Sequence, residues 1–138
     1  MTDTVTASIY NVMANDATLA SLLATYRDRP AIFTIDPAPK DAVLPYIVAA
    51  AIPVQTPFDT KTTRGRTIWR DIRIYDDQTG SVSRIEQIAE RVYQLFHREL
   101  LVVPGYAWIL TECAGPISMD EDFAYGRLVT AKITIEQL

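Results

Sequence analysis

The apolar positions repeat in two distinct rhythms, and these divide the chain. Val5, Ile9, Val12 and Met13 recur at helical spacing and predict a first helix. Asn15-Asp16 interrupts it, and either residue can cap a second short helix carrying Leu19, Leu22 and Leu23. Asp28-Arg29-Pro30 ends that region, and Ala31 to Ile35 predicts a short strand. The sharpest helical stripe is Ile85, Ile88, Ala89, Val92, Leu95 and Phe96, with Glu86, Glu90, Arg91, Gln94 and Arg98 among the polar positions. Ser83-Arg84-Ile85-Glu86 matches a capping box that would open this helix.

Strand rhythm occupies the rest. Pro45 to Ile52 is a mostly apolar run suited to the middle of a sheet. Thr67 to Tyr75 sets Ile68, Ile72 and Ile74 on one face and Trp69, Asp71, Arg73 and Tyr75 on the other. Tyr106 to Ala114 predicts a further strand after the Pro104-Gly105 turn. The closing strand alternates Val129, Ala131, Ile133 and Ile135 with Thr130, Lys132, Thr134 and Glu136. Asp36 to Asp41 and Asp76 to Gly80 read as loops, and Gly115 to Gly126 as a long connection. This order predicts an α+β fold: a mostly antiparallel sheet of four to five strands with two or three helices packed on one face.

Pro53 to Arg66 has no periodicity, with two prolines, one glycine and four threonines. Structureless connections beyond about 12 residues are uncommon in compact domains and tend to be functional. The segment is therefore expected to be a flap that orders against a partner, with Phe58, Lys61, Arg64 and Arg66 as its contact residues.

Composition narrows the function. The 138 residues suit one domain with one core, and 22% charged residues with 49% apolar ones suit a folded, soluble chain. A net charge of −4 argues against non-specific nucleic-acid binding. One cysteine, Cys113, forbids an intrachain disulfide and fits a reducing compartment. The start Met1-Thr2-Asp3-Thr4 lacks the pattern of a secretory signal, and Ala42 to Val54 falls short of the ~20 residues of a membrane span. The protein is expected in a cytoplasm, its own or a host's.

Candidate chemistry is sparse. His97, the single histidine, ends the long helix, where a partial positive charge suits the helix dipole. Cys113 reads as a small buried hydrophobe, and no spacing marks a Cys113/His97 dyad. Asp120, Glu121 and Asp122 lack the ligand spacing and turn glycine of a calcium loop. Arg64-Gly65-Arg66 and Tyr125-Gly126-Arg127 are not glycine-rich phosphate loops. No catalytic residue, metal site or cofactor is expected. The basic group Lys61, Arg64, Arg66, Arg70 and Arg73 beside Trp69 could track a nucleic-acid backbone. Because the chain as a whole is acidic, a solvated or protein-facing surface is the reading carried forward, with Trp69, Arg70, Asp120 and Asp122 as a secondary interface.

Taken in order, Asn15 to Leu23, Ala31-Ile32-Phe33, Leu44 to Val48, Asp71 to Tyr75, Ile85 to Phe96 and Gly126 to Val129 resemble the tail completion (tail terminator) family. That family belongs to long-tailed phages and gene transfer agents. The resemblance spans nearly the whole chain and implies a homo-oligomeric, hexameric ring at the end of the tail tube. Such a ring stops tube polymerisation and offers a surface to the head connector, while DNA passes through the hole without specific binding. The implied location is the head-proximal end of a virion tail, assembled in the host cytoplasm. The flap lies where family members carry a mobile loop used in ring or tube contacts. A tail tube or head completion protein is the alternative in the same class, and a nucleic-acid-binding module the alternative in another.

Overall fold

A computed structural model describes residues 2–35, 38–49, 55–57 and 64–138. Among the described residues the chain forms helices α1 (Thr2–Ala14), α2 (Ala17–Leu22) and α3 (Ser83–Phe96). The strands are β1 (Thr25–Tyr26), β2 (Arg29–Pro30), β3 (Ile32–Phe33), β4 (Tyr46–Val48), β5 (Gln55–Pro57), β6 (Gly65–Asp76), β7 (Tyr106–Ser118) and β8 (Tyr125–Gln137). The main sheet runs β3-β4-β6-β8-β7, with β5 also paired to β6, and β1-β2 form a separate two-stranded ribbon. Every pair is antiparallel except β3 with β4. The α+β fold expected from the sequence is the observed one.

The core follows from the two rhythms. β6 and β8 lie side by side over twelve residue pairs, Gly65↔Glu136 to Asp76↔Tyr125. Their alternation puts Ile68, Ile72 and Ile74 on the same face as Val129, Ala131, Ile133 and Ile135, all fully buried. α3 covers this face through Ile85, Ile88, Ala89, Val92 and Phe96, and Val5, Ile9 and Met13 of α1 and Leu19 of α2 complete one cluster. Among the described residues the opposite face of the sheet carries no helix.

Local details depart from expectation for physical reasons. Asp16 is the residue that caps α2, its carboxylate accepting from the Leu19 N–H at 3.0 Å. The capping box of α3 does not form: Ser83 is already helical, Val82 occupies the cap position without a side-chain bond, and the Ser83 N–H donates instead to Ser81 Oγ at 3.3 Å. The first turn is held by Arg84, whose guanidinium makes a two-point ion pair with the buried Asp76 at the end of β6. β1 and β2 form a small hairpin without an apolar rhythm of its own, turning through Arg27 and Asp28 at φ 50° and 65°.

Half of the predicted long connection from Gly115 to Gly126 is strand. β7 runs on to Ser118, with bulges at Ile109 and at Gly115-Pro116, and only residues 119–124 turn the chain into β8. A side chain at Gly115 would place its Cβ 2.6 Å from the Leu128 carbonyl oxygen, at a φ of 99° that favours glycine. The bulge resets the register, so Ile117 faces Leu128 and pairing continues to Ser118↔Arg127. The predicted flap is likewise shortened. Gln55↔Ile68, Thr56↔Thr67 and Pro57↔Arg66 pair β5 with β6, making a β-hairpin of its two ends. Residues 50–54 and 58–63, with Phe58 and Lys61, lie outside the described residues.

Candidate assembly interface

Among the described residues, exposed surface includes the sheet face opposite the helices and the two ends of the long β6-β8-β7 ribbon. On the sheet face, side chains from neighbouring strands neutralise each other. Lys132 stands opposite Trp69 and lies over its ring at 5.9 Å, and its other cross-strand neighbour is Glu112. The Thr130 hydroxyl donates to Asp71 at 2.9 Å. Beyond these lies a row of five rings: Tyr26, Phe33, Tyr46, Tyr75 and Phe123, with successive centroids 5.1, 5.6, 5.6 and 5.6 Å apart. The edge-on and tilted contacts suit the ring quadrupoles. This row went unseen in the sequence because its members are 7 to 48 residues apart. Only the registers Tyr46↔Tyr75 and Phe33↔Val48 bring them together.

One end of the ribbon is acidic. There the β7–β8 turn exposes Asp120, Glu121 and Asp122, beside exposed Asp77. The turn is built rather than loose. The Asp120 carboxylate accepts from the Gly126 N–H at 2.9 Å and from Arg127 at 3.2 Å, while Arg127 also reaches Glu86 at 3.4 Å. Glu121 pairs with Ala124, and Gln78 donates to the Glu121 carbonyl at 3.1 Å. Around this charge stand three exposed apolar side chains, Ile117, Met119 and Phe123, at 53, 38 and 59% exposure.

At the opposite end, about 30 Å away along the strands, lie Arg64 and Arg66, both exposed. The Arg64 carbonyl accepts from Gln137, and the Gly105 carbonyl from Leu138, so the starts of β6 and β7 flank the end of β8. Beside them the segment after α3 runs extended: Leu101 and Val103 point into the core while Leu100 and Val102 stand 66 and 71% exposed. With Ala7, Asn11 and Val12 of α1 and with Pro104, they line a groove of about 620 Å³.

The sequence-predicted interface residues therefore do not form one patch. Arg64 and Arg66 are at one end and Asp120 and Asp122 at the other, with Trp69 half-buried between them on the helix-free face. Arg70 requires correction as a surface residue: it is 2% exposed. It shares the face of Ile68 and Ile72, opposite the small Ala131, and its Nη1 donates to the Trp69 carbonyl at 3.3 Å. Burial lowers its pKa from the ordinary value. The basic stripe proposed for nucleic acid loses its central member to the core.

The reactive side chains are engaged structurally. Cys113 N–H donates to His97 Nδ1 at 3.0 Å, and Arg98 N–H donates to the Thr111 carbonyl at 2.7 Å. These two bonds satisfy outward backbone groups in the middle of β7, the edge strand, which would otherwise offer themselves for pairing. His97 also stacks on Tyr93, with centroids 4.7 Å apart. The accepting Nδ1 is turned to a backbone donor, and burial pushes the Cys113 thiol up to about 11, away from a nucleophilic thiolate. Among the described residues no three His, Cys, Asp or Glu side chains gather where they could hold a metal ion. None of the described helices is long and apolar enough to cross a membrane.

Among the described residues these features define an α+β protein with two chemically unlike ends. Among solved structures the fold matches a chain of the "Virion of native gene transfer agent (GTA) particle", with a TM-score of 0.74. The match covers 96% of this chain and 93% of that one at 16% identity, a likeness of fold. No protein-family model and no curated protein matches the sequence.

Proposed function

We propose that this chain is a structural subunit of a phage-like virion, a ring-forming protein that caps the tail tube and joins it to the head connector. The observation that carries this reading is the near end-to-end fold match to a chain of a gene transfer agent particle. It is supported by the two unlike ends of the ribbon, since a closed ring requires two different surfaces that meet head to tail. In this reading copies of the chain, six by the family resemblance, enclose a hole through which DNA passes without specific contacts. The β5–β6 hairpin, with Phe58, Lys61, Arg64 and Arg66, faces the tube or a neighbouring copy. Trp69, Asp120 and Asp122 belong to secondary contacts. The protein is an assembly component and not an enzyme, and its place is the head-proximal end of the tail.

A tube or head completion protein of the same particle is the competing assignment. Particles made without this protein separate the three. Loss of a terminator leaves overlong tubes and unjoined heads, loss of a tube protein leaves no tube, and loss of a head completion protein leaves tails of normal length beside open heads.

A further inference from the structure

Two exposed apolar features sit at opposite ends of the same ribbon. One protrudes: the β7–β8 turn carries Ile117, Met119 and Phe123 on a backbone held by Asp120, Arg127 and the Glu121–Ala124 pair. The other is concave: the groove between α1 and the segment after α3, with Leu100 and Val102 on its rim and Ala7, Val12 and Pro104 in its wall. Exposed apolar groups clustered like this are the mark of a contact surface. Their charges also complement. The protruding end exposes Asp77, Asp120, Glu121 and Asp122, whereas the concave end exposes Arg64, Arg66 and Arg98 against, among the described residues, a single exposed acidic side chain, Glu99, beside Leu100.

From this pairing we infer that the β7–β8 turn of one copy seats in the α1 groove of the next, so that the chain's self-contact is heterologous. The inference rests on the self-assembly reading above and names the surfaces that perform it. The central part of the β7 edge takes no part, because His97 and Arg98 already occupy its outward groups. In a head-to-tail arrangement the turn of one copy meets the groove of the next, and the contact is heterologous. Each copy that donates its turn still has an open groove, so association continues until the ring closes.

The test uses two single variants, Phe123→Asp with its turn disabled and Val102→Asp with its groove disabled. Sedimentation or light scattering follows wild type, each variant and their equimolar mixture, with circular dichroism to verify folding. Wild type is expected to assemble, and each variant alone to associate about tenfold more weakly or worse. The mixture should yield dimers that neither variant forms alone, and nothing larger, because one intact turn meets one intact groove. Variants that assemble as well as wild type overturn the surface pairing and leave self-assembly standing. A wild type that stays monomeric overturns both. Should either variant prove unfolded, Met119→Cys and Leu100→Cys, each in a Cys113→Ala background, are mixed and oxidised. A disulfide between the two different variants is expected, and its absence contradicts the pairing.

Discussion

Arg91 grips Asp16 with two nitrogens, Nε 3.1 Å from Oδ2 and Nη2 2.6 Å from Oδ1, across 75 residues of sequence. The same carboxylate caps α2 by accepting from Leu19. One buried-edge side chain thus starts a helix and fastens it to α3, which in turn covers the sheet. The bond to Arg91 is the main cause that holds the Asp16 carboxyl below its ordinary 3.8, outweighing the opposing effect of burial.

Substitution at Asp16 should separate these two roles. Asp16→Ala loses cap and ion pair together, the cap alone being worth about 1 kcal/mol. Asp16→Asn keeps a capping oxygen and should be the milder change. Since the folded carboxyl ionises more readily than the unfolded one, its stabilisation is fully present above the unfolded value. It is lost as pH falls through the lowered folded value. Urea denaturation from pH 7 down to pH 2 should therefore show a shallower acid limb in both variants than in wild type. Parallel limbs would contradict the pairing.

Arg70 offers a contrast between core and surface. Arg70→Ala removes a buried stem and head from between Ile68 and Ile72 and should cost about 2 kcal/mol or more. Arg64→Ala, at an exposed position, should stay within about 0.5 kcal/mol of wild type. Thermal or urea melts measure both, and equal stabilities would contradict the burial of Arg70.

Gly115 tests the bulge in β7. Gly115→Ala sets a Cβ 2.6 Å from the Leu128 carbonyl in backbone that disfavours side chains, and about 1–3 kcal/mol of destabilisation is expected. Denaturant melts read this directly, and a variant as stable as wild type would mean that the bulge is not as described.

The Cys113 thiol should be slow. With its pKa pushed up to about 11 by burial, thiolate at pH 8 is about a hundredfold scarcer than in an unfolded chain. A thiol reagent at pH 8 should react slowly with native protein and rapidly in urea, and equal rates would contradict the burial.

The sequence announced whatever depends on one local rhythm. The stripe from Ile85 to Phe96 and the alternation from Val129 to Ile135 could bury their apolar side only in one way, and α3 on the β6–β8 face is the result. Arg70 was legible too: its position has the parity of Ile68 and Ile72, and its charge disguised a core site. Ser83 and Glu86 satisfied a pattern that the chain does not use, because Arg84–Asp76 anchors that turn through tertiary contact instead. Gly115 and Pro116 looked like a break, whereas an edge strand absorbs them as a bulge. The ring row from Tyr26 to Phe123 and the two opposed ends depend on strand order and register, which no local pattern contains. Those are the features on which the proposed assembly relies.

Electron cryomicroscopy of the intact particle, with this subunit carrying an added density tag, would locate the protein in the assembly. The tag is expected in one closed layer between the tail tube and the head connector, with the β7–β8 turn of each copy against α1 of its neighbour. A tag repeated along the tube, confined to the capsid, or missing from the particle would contradict this placement.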